Sequence, residues 1–165
     1  MMETQSNGAG HFAQFDLSRV PSPCFVIDEI AIERNLTILS SLAQDSGCKI
    51  LGALKAFSFW RLAGLMSRHL NGTCASGLWE AQLAKKHFQG EVETFAPAFK
   101  PSEIDEIAKL SDHVIFNTPD QLERFAKLVS PHGASLGLRL NPEHSEGTVE
   151  KYDPCAPGSR LGWPI

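Results

Sequence analysis

Apolar positions along the chain fall into two alternating patterns. Five compact apolar segments begin at Ile50 (ILGALKAF), Thr73 (TCAS), Val92 (VETFAP), His113 (HVIFN) and Leu136 (LGLRLNP), with starts 23, 19, 21 and 23 residues apart. Short apolar runs bounded by turn residues predict strands. Between them, apolar residues recur at helical spacing over 60–70, 78–88, 102–110 and 119–129. Ser102 followed by Asp105, and Thr118 followed by Pro119, predict two of these helix starts. Further upstream, residues 24–27 (CFVI) behind Pro21 and Pro23 predict a short strand. Asp28 is placed to cap a helix whose Ile30, Ile32, Leu36, Leu39 and Leu42 carry it to about Gly47.

A strand and a helix alternating every twenty residues or so is the βα unit, and successive units build a parallel sheet. The fold class is therefore α/β. Five strands suit an open doubly wound sheet, whereas a closed (β/α)8 barrel needs eight strands and roughly 250 residues. No GxGxxG or GxxxxGK[ST] loop follows any of the strands. Periodicity alone leaves both an open sheet and the first part of a barrel standing. Residues 1–20 are polar and glycine-bearing, a flexible lead-in to a single unit over 21–165.

Composition narrows the function classes. Of 165 residues 42% are hydrophobic and 21% charged, ordinary fractions for a globular protein. The net charge is −4, from 15 basic and 19 acidic residues with no like-charge block of five, which argues against a nucleic-acid or anionic-membrane surface. No window supplies the ~18 apolar residues of a membrane span, and the N-terminus lacks the basic start and apolar run of a secretory signal. The four cysteines form no CxxC pair, so they read as reduced thiols in a cytoplasmic protein, with no metal site. The six histidines (His11, His69, His87, His113, His132 and His144) show no HExxH spacing and read as surface or packing residues.

Lys55 is the first chemical candidate, because it lies in the apolar run 50–57 where the first repeating strand should end. In parallel α/β proteins that end is where sites form. A lysine desolvated by apolar neighbours favours its neutral amine and becomes a nucleophile toward carbonyls, the chemistry of a Schiff base. The competing reading is a strand-end lysine snorkelling into solvent. Arg139 and Asn141 occupy the corresponding end of the fifth strand. An arginine there needs either an anionic ligand or a carboxylate that closes the sheet. Ser76 and Glu80 follow the second strand, where Glu80 also makes a simple favourable contact with a helix start. The polar, proline-rich segment 141–162 is long enough to be a functional loop.

Several segments occur in a recognisable order: PSPCFVID (21–28), GCKILGALKAFS (47–58), NGTCAS (71–76), SDHVIFN (111–117), LRLNPE (138–143) and YDPCAPGSRLG (152–162). Together they resemble the carboxynorspermidine (carboxyspermidine) decarboxylases. Those enzymes sit in the alanine racemase-like, fold-type III group of pyridoxal-phosphate enzymes, beside ornithine and diaminopimelate decarboxylases. The resemblance implies a parallel (β/α) barrel, of which about five βα units are present, and a mostly β C-terminal domain that is not. It implies pyridoxal 5'-phosphate held covalently by Lys55, with Arg139 and Arg160 near the cofactor. It also implies a carboxylated polyamine as substrate and a cytoplasmic homodimer. The Ser-x-x-Glu pattern of the cousins is one residue longer at Ser76 and Glu80.

On that resemblance, the phosphate loop and the acidic residues that read the polyamine lie beyond Ile165. The 165 residues alone are expected to be a poorly active, aggregation-prone fragment with an unpaired strand edge. A non-catalytic pyridoxal-phosphate carrier with a related barrel is the alternative, as is an inert truncated product. A nicotinamide-binding domain comes last, for want of the glycine fingerprint.

Overall fold

The computed structural model describes residue 12, residues 14–147, residue 149 and residues 152–165. Much of the lead-in, and His11, therefore lie outside the described residues. The first long element is α1, Glu29–Ser46. Its caps match the local sequence. The Asp28 side chain accepts a hydrogen bond from the Ala31 N–H, and Gly47 closes the helix at φ 68°, a left-handed conformation that costs glycine least.

The repeat then unfolds as β1 (Leu51–Ala53), α2 (Ala63–His69), β2 (Gly72–Ala75), α3 (Leu78–His87), β3 (Glu91–Phe95), α4 (Ile104–Leu110), β4 (His113–Phe116), α5 (Pro119–Val129) and β5 (Ser135–Leu138). The strands form one sheet in the order β1-β2-β3-β4-β5, every pair parallel. Sequential order with a helix between each strand and the next is the arrangement of successive barrel units. Two short strands, β6 (Leu140–Asn141) and β7 (Trp163–Pro164), pair with each other and close the base of the long segment between them.

Alternation along the strands separates two faces. Ala75, Val92, Thr94, Val114 and Phe116 are buried and point to the helices. There Phe116 packs with Phe99, Ile104, Ile107, Phe125 and Val129, while Ala75 and Val92 meet Leu54, Ala81 and Ala84. A third cluster seats Leu36 of α1 on Leu62, Leu65 and Met66. The opposite face carries Cys74, Glu93, Phe95, His113 and Ile115, all only half-buried. At Gly72 the β2 and β3 backbones come so close that a Cβ would lie 2.0 Å from the Glu91 carbonyl oxygen.

Three expectations are corrected. Residues 24–27 form no strand, because they find no backbone partner among the described residues; Phe25 is fully exposed. Ser102 does not cap α4, which starts at Ile104 behind Glu103 with no side-chain cap. A turn replaces that cap, with Glu103 N–H donating to the Lys100 carbonyl and Lys100 paired to Glu103 at 2.9 Å. The helix expected over 60–70 divides into a 3-10 turn, Trp60–Leu62, and the shorter α2. Thr118 caps α5 as read, accepting from Gln121 N–H with Pro119 in the first turn.

Candidate active site

The C-terminal ends of the five parallel strands carry nearly every candidate the sequence singled out. Strand β1 stops at Ala53, and residues 54–56 turn sharply as the Ala56 and Phe57 N–H groups donate back to the Ala53 carbonyl. Leu54 fills the buried slot, 1% exposed, and its N–H donates to the Cys74 carbonyl at 3.0 Å. Lys55 is thereby turned outward and is exposed. Of the two readings of this lysine, the solvent-facing one holds: the turn gives the apolar site to Leu54 and leaves the amine in solvent. Among the described residues its ammonium has no hydrogen-bond or ion-pair partner. It does lie close enough to Cys74 to act on that thiol. Burial and the neighbouring Glu93 carboxylate push the Cys74 thiol up, while the Lys55 charge opposes them.

At the end of β2, the Ser76 N–H donates to Glu80 Oε2 at 2.7 Å. Glu80 lies in the first turn of α3, so its carboxylate satisfies a backbone N–H that would otherwise lack a partner and complements the helix start. That contact is structural. It holds Ser76 in place at the strand end.

Arg139 follows β5. Its N–H donates to the Phe116 carbonyl and its own carbonyl accepts from Trp163 N–H, both at 2.8 Å. Every other described lysine and arginine is exposed, whereas Arg139 is half-buried. No carboxylate meets it among the described residues. Its guanidinium instead reaches across β4 and lies 4.8 Å from the ring centroid of Phe95 on β3. A guanidinium partly withdrawn from water without an anion is costly to hold, and the Phe95 ring face offsets part of that cost.

Asn141 is buried and accepts from Glu143 N–H through Oδ1 at 2.9 Å, fixing the start of the long segment. Arg160 is exposed, but its backbone is held. Asn117, buried at the end of β4, donates from Nδ2 to the Arg160 carbonyl at 2.8 Å. Its Oδ1 accepts from Gly162 N–H at 2.7 Å. Both ends of the Asn117 amide thus clamp the returning segment onto the strand ends. Sequence reasoning passed over Asn117 and Phe95 as site residues. The available signal was position: Asn117 directly follows an apolar strand, as Ser76 and Arg139 do.

The structure therefore brings Lys55, Ser76, Glu80, Asn117, Arg139 and Arg160 to one end of the sheet, spread along a rim rather than enclosed. Lys55 and Arg139 follow opposite edge strands. An open cavity of about 340 Å³ lies within the returning segment beside Asp153, Ser159 and Arg160. A larger one, about 410 Å³, lies before β1 near Cys48, Lys49 and Asn71, away from the rim. No helix among the described residues is long and apolar enough to cross a membrane.

No protein-family model matches the chain. It is 40% identical over 144 residues to a carboxynorspermidine/carboxyspermidine decarboxylase of Campylobacter jejuni, covering 87% of this chain and 37% of that protein. It is 38% identical over 146 residues to a carboxyaminopropylagmatine decarboxylase of Synechocystis, covering 88% and 38%. In structure it matches the Campylobacter jejuni carboxynorspermidine decarboxylase, crystallised with norspermidine. That match has a TM-score of 0.76 and 36% identity, over 88% of this chain and 36% of the other. The resemblance read from the sequence is borne out, and so is the α/β fold with part of a barrel. The chain spans under two-fifths of the length of these relatives.

Proposed function

We propose that this chain supplies the cofactor-anchoring part of a pyridoxal-phosphate-dependent decarboxylase acting on carboxylated polyamines. The observation that carries the reading is a pair of cations at the strand ends that meet no carboxylate among the described residues: an exposed primary amine, Lys55, and a half-buried guanidinium, Arg139. That donor set fits pyridoxal phosphate, which offers an aldehyde to an amine and anionic oxygens to a guanidinium.

In this reading the amine of Lys55 would hold the cofactor through its aldehyde. Leu54 keeps that amine at a fixed point by anchoring the turn to β2. Arg139 faces an anionic oxygen of the cofactor, and Asn117 holds the segment that presents Arg160 beside it. Bound pyridoxal phosphate supplies an electron sink for the bonding pair released as carbon dioxide leaves. The two relatives' names, at nearly equal identity, support a substrate class of carboxylated polyamines wide enough to include carboxynorspermidine, carboxyspermidine and carboxyaminopropylagmatine. The working protein is a cytoplasmic homodimer.

The test is carbon dioxide and amine release from each of these three substrates by the whole protein, with Lys55→Ala as control. Release that Lys55→Ala abolishes is the expected result. Cofactor binding with no carbon dioxide from any of the three would make the protein a carrier and overturn the decarboxylase reading.

A further inference from the structure

The half-buried guanidinium of Arg139 needs something to hold it before any anion arrives. An arginine side chain has four rotatable bonds and loses much rotamer freedom when ordered, and a carboxylate partner would fix it only by neutralising it. The described residues offer a neutral alternative. Phe95, the last residue of β3, lies under the guanidinium at 4.8 Å from centroid to Cζ. Phe95 belongs to the half-exposed face and not to the buried cluster of its neighbours Ala96 and Phe99. Level with Phe95 in the sheet stand Ile115 and then Gly137, and the bare Cα of Gly137 makes room for the Ile115 side chain, whose Cδ1 would lie 2.4 Å from a Cβ there. Arg139 stands two residues beyond Gly137, and its guanidinium passes over β4 to reach the ring.

We propose that Phe95 is a positioning residue: its ring face holds the Arg139 guanidinium in place without consuming its charge, leaving the N–H donors free for an anionic oxygen of the cofactor. A carboxylate in the same role would compete with the ligand, and an aliphatic side chain would let the guanidinium wander. The electrostatic attraction of a ring face supplies the hold.

This proposal rests on the cofactor reading above, so its test separates the two. The first readout needs no cofactor. In the ¹H–¹⁵N spectrum of the protein, the Arg139 Nε–H resonance is shifted by the Phe95 ring current, Phe95→Leu abolishes the shift, and Phe95→Tyr retains it. The second readout is the dissociation constant for pyridoxal phosphate. Phe95→Leu weakens binding roughly tenfold, Phe95→Tyr restores it, and adding Phe95→Leu to Arg139→Gln causes no further loss. Phe95→Leu spares the buried clusters, so the fold persists. An unshifted Arg139 resonance, or equal affinities for the Leu and Tyr variants, overturns the proposal. If the resonance behaves as expected but Arg139→Gln leaves affinity unchanged, the ring holds the guanidinium for some other purpose. In that case the assignment of Arg139 to the cofactor falls, and with it the role proposed for Phe95.

Discussion

Replacing Leu54 by alanine tests whether the lysine-bearing turn is rigidly seated. Leu54 is 1% exposed and packs against Ala75, Ala81, Ala84 and Val92. The substitution removes three carbon groups, worth about 0.8 kcal/mol each in transfer, or roughly 2.4 kcal/mol. Three of the four neighbours are alanines, whose side chains cannot move into the gap, so a cavity term of roughly 1 kcal/mol adds to this. The total, roughly 3–4 kcal/mol, corresponds to a fall in melting temperature of about 10 °C for a chain this size. Urea unfolding followed by circular dichroism reads the stability, and the yield of pyridoxal phosphate trapped at Lys55 reads the consequence for the site. Both should drop. A loss below about 1 kcal/mol would show that Leu54 does not carry the end of β1, and the rigid-seat argument would be wrong.

Asn117→Ala removes both hydrogen bonds that clamp the returning segment, at a cost of roughly 1–3 kcal/mol, and trypsin should cut after Arg160 sooner than in the parent; an unchanged cleavage rate contradicts the clamp. Gly72→Ala places a Cβ 2.0 Å from the Glu91 carbonyl oxygen and should abolish soluble folded protein, whereas Gly77→Ala meets nothing within 4 Å and should be silent; equal yields would refute the close approach of β2 and β3. Asp112 gives a pH dependence. Burial raises its pKa, but the Val92 N–H bond and the Lys85 and His113 charges outweigh burial and hold it below its ordinary 3.8. Its stabilisation is therefore present above 3.8 and fades as pH falls through the lowered value. The parent should be more stable than Asp112→Asn at pH 6, with the gap closing on acidification; a gap independent of pH would show that the charge contributes nothing.

Much of this architecture was legible because each element carried its own local signal. The five strand starts fell within one residue of the observed ones, since apolar runs of strand length were bounded by turns and spaced by helices. Asp28 and Gly47 bounded α1 because capping depends on the terminal residues themselves. Residues 24–27 misled for the opposite reason: a β-prone run becomes a strand only beside a partner, and none of the described residues provides one. Ser102 lost its cap to the Lys100–Glu103 turn, a competition between neighbours that no single residue announces. At the site, the place of Lys55 at a strand end was legible but the choice between a desolvated and a solvent-facing amine was not, because the turn after Ala53 decides which of Leu54 and Lys55 is buried. The aromatic partner of Arg139 lies 44 residues away and depends on the register across three strands, which the order of residues does not display.

Lys55 is the residue proposed to hold the cofactor. Borohydride reduction of the protein with pyridoxal phosphate, followed by peptide mass mapping, tests it most directly. The expected result is a phosphopyridoxyl group on the peptide containing Lys55, lost in Lys55→Ala. Label on Lys49, Lys85 or another lysine, or none at all, would contradict it.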